Sequence, residues 1–404
     1  MRKLPPVGTR LQWHELAAAL RDAEQGEARL EAALAARIPC ARVFLFGSGR
    51  AALAALLTAL KKLRAGDRVI VPAYTCWSVP AAVVRAGLRV LPVDVLPTTI
   101  DYDYDQLSRL DWRGVLAIVS PNLFGLPGEL NHLAELAEDH DAVLIDDAAQ
   151  CLGGQADGRP VGSHGVAGIV SFGRGKNVTA LGGGAALVHD EDLAAAMAAQ
   201  GDVLRDGPPP TGLDVALKGG AMRFALEPSL YGFAEMAPGV TVGRTVYEPN
   251  FPATAMGGAR AAVAVAVLRR LDEINHQRAN LAAWIDQFLK PLRGLVLVKP
   301  GVGNVPAWLR RPLLTQEVGK RDALLAGLQS VGIGASAMYP APVHAIEELA
   351  PDLDLRAAPF AGAQRLADSL IVLPLVEGIL QQDLEKLGVV VTEVMGRRLG
   401  ERWV

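Results

Sequence analysis

Through its first half the chain repeats one pattern: a short β-branched or apolar run, then a stretch with helical spacing of apolar residues. The runs fall at 43–46, 68–71, 89–93, 115–119, 142–145, 168–172 and 184–188, with helical stretches at 50–63, 79–85 and 130–139 among them. Runs apolar along nearly their whole length suit strands buried on both faces, and strand–helix alternation threads such strands in parallel. The expectation is an α/β fold with a mostly parallel seven-stranded sheet between helical layers. The rhythm breaks at about 200–248, where Pro208, Pro209, Pro210 and several glycines read as an irregular insertion or lid. A long Ala-, Val- and Leu-rich helical stretch at 258–275 follows, then strand-like residues at 295–298 and helices at 320–331 and 381–395. A chain of 404 residues exceeds one ordinary compact core. The expected division is a large domain over 1–253, carrying the insertion, and a smaller C-terminal α+β domain over 254–404.

Charge and composition narrow the partners. The formal net charge is −3 and both signs are spread along the chain, which argues against nucleic acid. Cys40, Cys76 and Cys151 make no complete disulfide framework, and their spacing fits no zinc site, so a cytoplasmic setting is expected. The charge-free stretches 69–84 and 323–346 are interrupted by prolines, glycines or polar residues, so no stable membrane insertion is expected.

Three local features carry chemistry. In Phe44-Leu45-Phe46-Gly47-Ser48-Gly49-Arg50-Ala51 a strand passes through a glycine turn into a helix. The unpaired N–H groups of such a helix start hold a phosphate well, although any strand-to-helix turn looks similar. In Val143-Leu144-Ile145-Asp146-Asp147-Ala148-Ala149-Gln150 an apolar strand ends in two carboxylates. Ligands of open α/β sheets sit beyond the carboxyl ends of strands, while a carboxylate there also caps a following helix. A metal reading finds only His164 as a further ligand, and no metal is expected. In Ser171-Phe172-Gly173-Arg174-Gly175-Lys176-Asn177 a strand enters a small-residue loop with one lysine. A desolvated lysine near cationic groups has a lowered pKa and forms a Schiff base, whereas most lysines are simply solvated. Phosphate cradle, acid and lysine, in that order, are what a pyridoxal-phosphate (PLP) enzyme requires. The acid, Asp147, keeps the pyridine nitrogen protonated so that the ring acts as an electron sink, and Lys176 carries the aldehyde.

The chain resembles the DegT-type sugar aminotransferases, a branch of the fold-type I PLP enzymes, over roughly 40–195 and 245–390. The resemblance rests on Ser48 through Leu53, Gly66 through Pro72, Pro92-Val93-Asp94, Asp146 through Gln150 and Val161-Gly162-Ser163. Ser171-Phe172, Lys176-Asn177, Tyr339-Pro340, Val343-His344 and Leu373-Pro374 complete it. The resemblance implies a catalytic pair, Lys176 as Schiff-base lysine and Asp147 at the pyridine nitrogen. It places Gln150 beside the ring's phenolic oxygen, and gives the phosphate to Ser171 and the Ser48, Gly49, Arg50 and Ala51 turn. Asn250 then reaches the cofactor of a neighbouring subunit, which implies a homodimer with shared active sites. This sequence departs from the family at Pro252, Gly183 and Gly173, and it has Cys76, with Trp77 adjacent, where an aromatic often covers the ring. Tyr231, in the insertion, and His344 are candidate substrate contacts, each with a packing role as the alternative.

The function this implies is transfer of an amino group from an amino-acid donor, glutamate in the family, to a keto or aldehyde acceptor, with keto sugars among the acceptors. Elimination or carbon–carbon chemistry on the same cofactor is one alternative. A catalytically silent PLP-binding regulatory protein is another.

Overall fold

The computed structural model describes residues 2–201, 203–205, 207–234 and 245–396. All seven expected strands form one sheet. They are β1 (Arg42–Phe46), β2 (Arg68–Pro72), β3 (Arg89–Val93), β4 (Val115–Pro121), β5 (Val143–Asp147), β6 (Ala167–Ser171) and β7 (Gly184–Val188). Their order is β1-β7-β6-β5-β4-β2-β3, and β7 alone runs antiparallel to its neighbours. Side-chain alternation explains why the strands are apolar throughout. In β1, Phe44 and Phe46 join one hydrophobic cluster while Val43 and Leu45 join another across the sheet.

The helices that cover the sheet are α1 (Trp13–Arg21), α2 (Gly26–Arg37), α3 (Gly49–Leu63), α4 (Ser78–Arg85), α5 (Leu130–Asp139) and α6 (Glu191–Ala199). On one face, α3, α4 and α6 bury an Ala- and Leu-rich layer over the strands. On the other, α1 and α2 pack with a later helix described below.

Two features differ from the sequence expectation. The insertion read as irregular holds a 14-residue helix, α7 (Gly212–Ala225), whose N-cap Thr211 accepts from the Asp214 N–H. Gly219 and Gly220 mask its pattern, yet Gly219 has a structural reason: a Cβ there would lie 2.2 Å from a methyl carbon of Leu16 in α1. The single long helix expected over 258–275 is broken into α8 (Gly258–Leu268) and α9 (Leu271–Leu289). α8 packs on α1 and α2, its start tight enough that a Cβ on Gly258 would stand 1.9 Å from the Ala23 carbonyl oxygen.

The C-terminal part builds a second, antiparallel sheet in the order β8 (Leu295–Leu297), β9 (Arg310–Thr315), β10 (Leu370–Pro374). It is packed with α9, α10 (Lys320–Ser330), α11 (Ala361–Ser369) and α12 (Gln381–Met395). One hydrophobic cluster continues from Tyr74, Leu91 and Phe124 beside the large sheet into Leu313, Leu370 and Leu387. Among the described residues no helix is long and apolar enough to cross a membrane.

Candidate active site

Two adjacent aspartates end β5, and the strand's period of two sends them apart. Asp146 is fully buried and spoken for: its carboxylate accepts from Asn122 Nδ2 (2.9 Å) and the Gly162 N–H (2.5 Å), and lies 3.2 Å from His164 Nδ1. His164 is thus a partner of a structural carboxylate. Among the described residues the Asp147 carboxylate accepts a hydrogen bond only from the Ala149 N–H, at 2.9 Å. Burial, reinforced by Asp146, pushes its carboxyl up to about 6, although Ala149 and the nearby Lys176 pull the other way. A carboxylate so short of partners is suited to a cationic one, such as a protonated ring nitrogen.

Lys176 stands in the loop after β6. Its amine is held below the usual lysine range by desolvation and by Arg310, against the opposing pull of Cys76 and Asp147. The loop is tied down from outside its own sequence neighbourhood. The Thr9 hydroxyl lies 2.9 Å from the carbonyl oxygens of both Lys176 and Asn177, and itself accepts from Arg278 Nη2 at 2.9 Å. Asn177 Nδ2 donates to Asn275 Oδ1 at 2.8 Å.

The expected phosphate cradle is the start of α3. Ser48 is its N-cap and accepts from the Ala51 N–H at 3.2 Å. Close approach here requires glycine: a Cβ on Gly49 would stand 3.0 Å from Ser171 Cβ, and one on Gly184 would stand 2.3 Å from the Gly49 nitrogen. Ser171, at the end of β6, therefore lies against the first turn of α3, where backbone N–H groups and the helix dipole favour an anion. Arg50 is held away on a salt bridge to Glu248 (2.9 Å) and over the Phe251 ring (4.6 Å).

A cavity of about 720 Å³ opens in front of Lys176, within the range of small-molecule sites. Cys76, Gln150, Tyr231, Arg310 and Tyr339 are among its lining residues. Gln150 is oriented at both ends, accepting from the Phe124 N–H (3.2 Å) and donating to the Tyr339 hydroxyl (2.9 Å). Met338 and Tyr339 both have φ near +36°, a strained backbone for bulky residues at the cavity wall. Of the two residues proposed to cover the ring, Cys76 lines the cavity, whereas the Trp77 indole donates to the Ala341 carbonyl at 3.2 Å. His344 lies outside the lining, its ring 4.7 Å from that of Phe360. Asn250 is exposed, next to the fully buried Phe251 that anchors its segment.

Sequence reasoning missed three contributors. Arg310 begins β9 and is buried in the cavity wall, its guanidinium brought down to about 10 by desolvation, with Nε unpartnered. Its neighbour Arg311 points the other way and is paired with Asp286 at 2.5 Å. Two arginines opening an apolar strand were the available signal. The N-terminal segment (Val7, Gly8, Thr9) and α7 gave none, because their role depends on chain crossing from elsewhere.

A desolvated lysine that interacts electrostatically with a strand-end carboxylate, beside a glycine-lined helix start on a seven-stranded sheet, is the arrangement expected of a fold-type I PLP enzyme. The chain belongs to the DegT/DnrJ/EryC1/StrS aminotransferase family, whose model matches residues 17–206 and 250–392. It is 30% identical over 347 residues to the erythromycin biosynthesis sensory transduction protein EryC1 of Saccharopolyspora erythraea, covering 85% of this chain and 83% of that protein. Over 170 residues it is 37% identical to the L-glutamine:2-deoxy-scyllo-inosose aminotransferase of Streptomyces kanamyceticus, covering 41% of this chain and 39% of that one. The fold is shared with Helicobacter pylori PseC, an aminotransferase involved in the biosynthesis of pseudoaminic acid, at a TM-score of 0.77 and 16% identity, covering 97% and 99% of the two chains. The protein is accordingly a PLP-dependent aminotransferase.

Proposed function

We propose that Lys176 carries the cofactor and that the enzyme moves an amino group from glutamate to a keto or aldehyde acceptor. One observation carries this reading: Lys176 and Asp147 interact electrostatically and are shifted in opposite directions, the amine lowered and the carboxyl raised to about 6, both chiefly by burial. When bound, PLP supplies an electron sink for charge developing next to a substrate amine. The residues present fit that group. Asp147 offers a carboxylate to the ring nitrogen, Gln150 a fixed amide to the ring edge, and Ser171 with the Gly49–Ala51 turn an anion site for the phosphate. Cys76, rather than Trp77, is the neighbour that covers the ring.

Lys176 also acts as base. Its lowered pKa leaves more of the amine unprotonated near neutrality, ready to take the proton from the substrate α-carbon. Arg310 is the cation available to the donor's carboxylate, and charge-assisted pairing would satisfy its buried, unpartnered Nε. Tyr231 contacts the acceptor, and His344 serves packing beside Phe360.

The family match also supports a homodimer in which the exposed Asn250 reaches the partner's cofactor phosphate. Inactive Lys176→Ala and Asn250→Ala proteins, mixed and refolded together, are expected to regain activity at hybrid sites; no recovery removes the shared-site proposal. The three free cysteines suit the cytoplasm. The large body is proposed to extend through α8, because that helix packs on α1 and α2, with the division at the break before α9.

The test is an absorption spectrum of the PLP-loaded protein before and after glutamate. Loss of the lysine-bound cofactor band, with gain of a pyridoxamine-type band, is expected. A band unmoved by glutamate or glutamine favours the regulatory reading, which the description of the EryC1 relative as a sensory transduction protein supports. No lysine-bound band at all would sink the assignment of Lys176.

A further inference from the structure

The outer part of the cavity is walled by α7 and the turn after it, in the stretch between the two family-matched segments. What α7 presents there is mostly apolar: Val215, Ala221, Met222, Ala225 and, just beyond the helix, Leu226, with Asp214 and Lys218 as its two charged exceptions. Leu181 adds to this surface from the loop after Lys176. A nucleoside's base and ribose need hydrogen-bond partners that these apolar side chains do not offer, and the two charged groups of α7, Asp214 and Lys218, are already paired with each other.

The charged groups of the cavity sort into two sets. Lys176 interacts with Asp147, Cys76 and Arg310. Arg260 interacts instead with Asp214 and Arg174. Asp214 is already engaged by Lys218 at 2.8 Å, one turn along α7. Among the described residues neither Arg174 nor Arg260 has an ion-paired carboxylate, and Arg260 Nε is buried without a partner. The room for that guanidinium comes from Gly182, where a Cβ would stand 2.9 Å from Arg260 Cζ. Two neighbouring guanidinium groups whose one nearby carboxylate, Asp214, is already paired with Lys218 repel each other, and an added anion reduces that cost.

We propose that the acceptor is an amphiphile: its carbonyl lies at Lys176, its apolar body along α7, and its terminal anion, a carboxylate or phosphate monoester, at Arg174 and Arg260. Only the carbonyl end rests on the transamination reading; the apolar wall and the arginine pair stand apart from it. An amphiphile spanning both parts gains from each buried methylene about a fourfold increase in affinity.

Calorimetric titration of the PLP-loaded enzyme tests this with octanoate, octyl phosphate, 1-octanol, inorganic phosphate and uridine diphosphate. Octanoate or octyl phosphate is expected to bind at least tenfold more tightly than 1-octanol or inorganic phosphate, and the tighter of the two identifies the anion. Affinity is expected to climb from butanoate to octanoate. Arg260→Met and Arg174→Met should each cut the preference for octanoate over 1-octanol by tenfold or more. Ala221→Asp, at an exposed helix position, should weaken octanoate without unfolding the protein, as thermal melting would verify. Tighter binding of uridine diphosphate than of either octyl anion, a flat chain-length series, or arginine variants with unchanged preference would each overturn the proposal. The same preparations go through the glutamate spectrum. Octanoate binding without a spectral response removes transamination and keeps the ligand class; a spectral response without octanoate binding does the reverse.

Discussion

The two sides of the cavity are built differently. On the side proposed to hold the cofactor, Asp147 and Ser171 stand at the ends of neighbouring sheet strands behind the cavity lining and Gly49 opens the helix packed over them, each position fixed by ladder pairing and a buried core. On the acceptor side, the wall comes from α7, the N-terminal segment and the start of β9, brought together from distant parts of the chain. Rigid elements suit a constant cofactor, whereas segments outside the sheet are free to vary with the substrate. The difference teaches that damage on the first side should stop both half-reactions, and damage on the second should change which molecules react.

The sharpest way to break this contrast is Lys176→Ala. The glutamate half-reaction is expected to slow by roughly four orders of magnitude, read by single-turnover absorbance. Retention of full turnover would mean that the cofactor side is misassigned. Asp147→Asn is next, with a loss of roughly a hundredfold or more in both half-reactions while the fold is kept.

Asp147 also makes a prediction about pH. Its carboxyl in the folded protein is raised to about 6, above its unfolded value, so its stabilising effect is complete at low pH and is lost as pH rises through 6. Cofactor-free protein should therefore lose on the order of 3 kcal/mol relative to Asp147→Asn between pH 4 and pH 7. Denaturant titrations of the two proteins across that range would show it, and parallel curves would contradict the burial argument.

On the acceptor side, Arg310→Met is expected to raise KM for glutamate by roughly tenfold to a hundredfold with a smaller change in kcat. A fall in kcat alone would move Arg310 from substrate binding to a role in the chemistry. The smallest effect belongs to Thr9→Val. It removes a hydroxyl shared by two carbonyls and Arg278, and should cost about 1–3 kcal/mol in stability, measurable as a lower melting temperature. If glutamate turnover falls with it by more than the loss of folded protein explains, the N-terminal segment also positions Lys176.

Much of the cofactor side was legible in the sequence because its signals are local. Strand, glycine turn and helix are contiguous from Phe44 to Leu53, and a carboxylate pair after an apolar run marks a strand end. The choice of Asp147 over Asp146, by contrast, rested on the family resemblance alone. Strand period separates Asp146 from Asp147, but only the buried partners Asn122, Gly162 and His164 reveal which one is already occupied. The helix in the insertion stayed hidden because Gly219 lowers helix propensity while meeting a steric demand from Leu16, a residue far away in the sequence that only the fold brings against it.

The sequence alone determined the seven strands, and on the same kind of short-range pattern of period, turn chemistry and residue type it put forward the lysine, the acid and the phosphate turn. The tertiary structure decided the rest: that Cys76 and not Trp77 faces the cavity, that Arg310 is buried there without an acid, and that Thr9 holds the lysine loop. Such facts arise from segments far apart along the chain, whose meeting is set by how the buried surfaces of two sheets pack, and no local pattern encodes it.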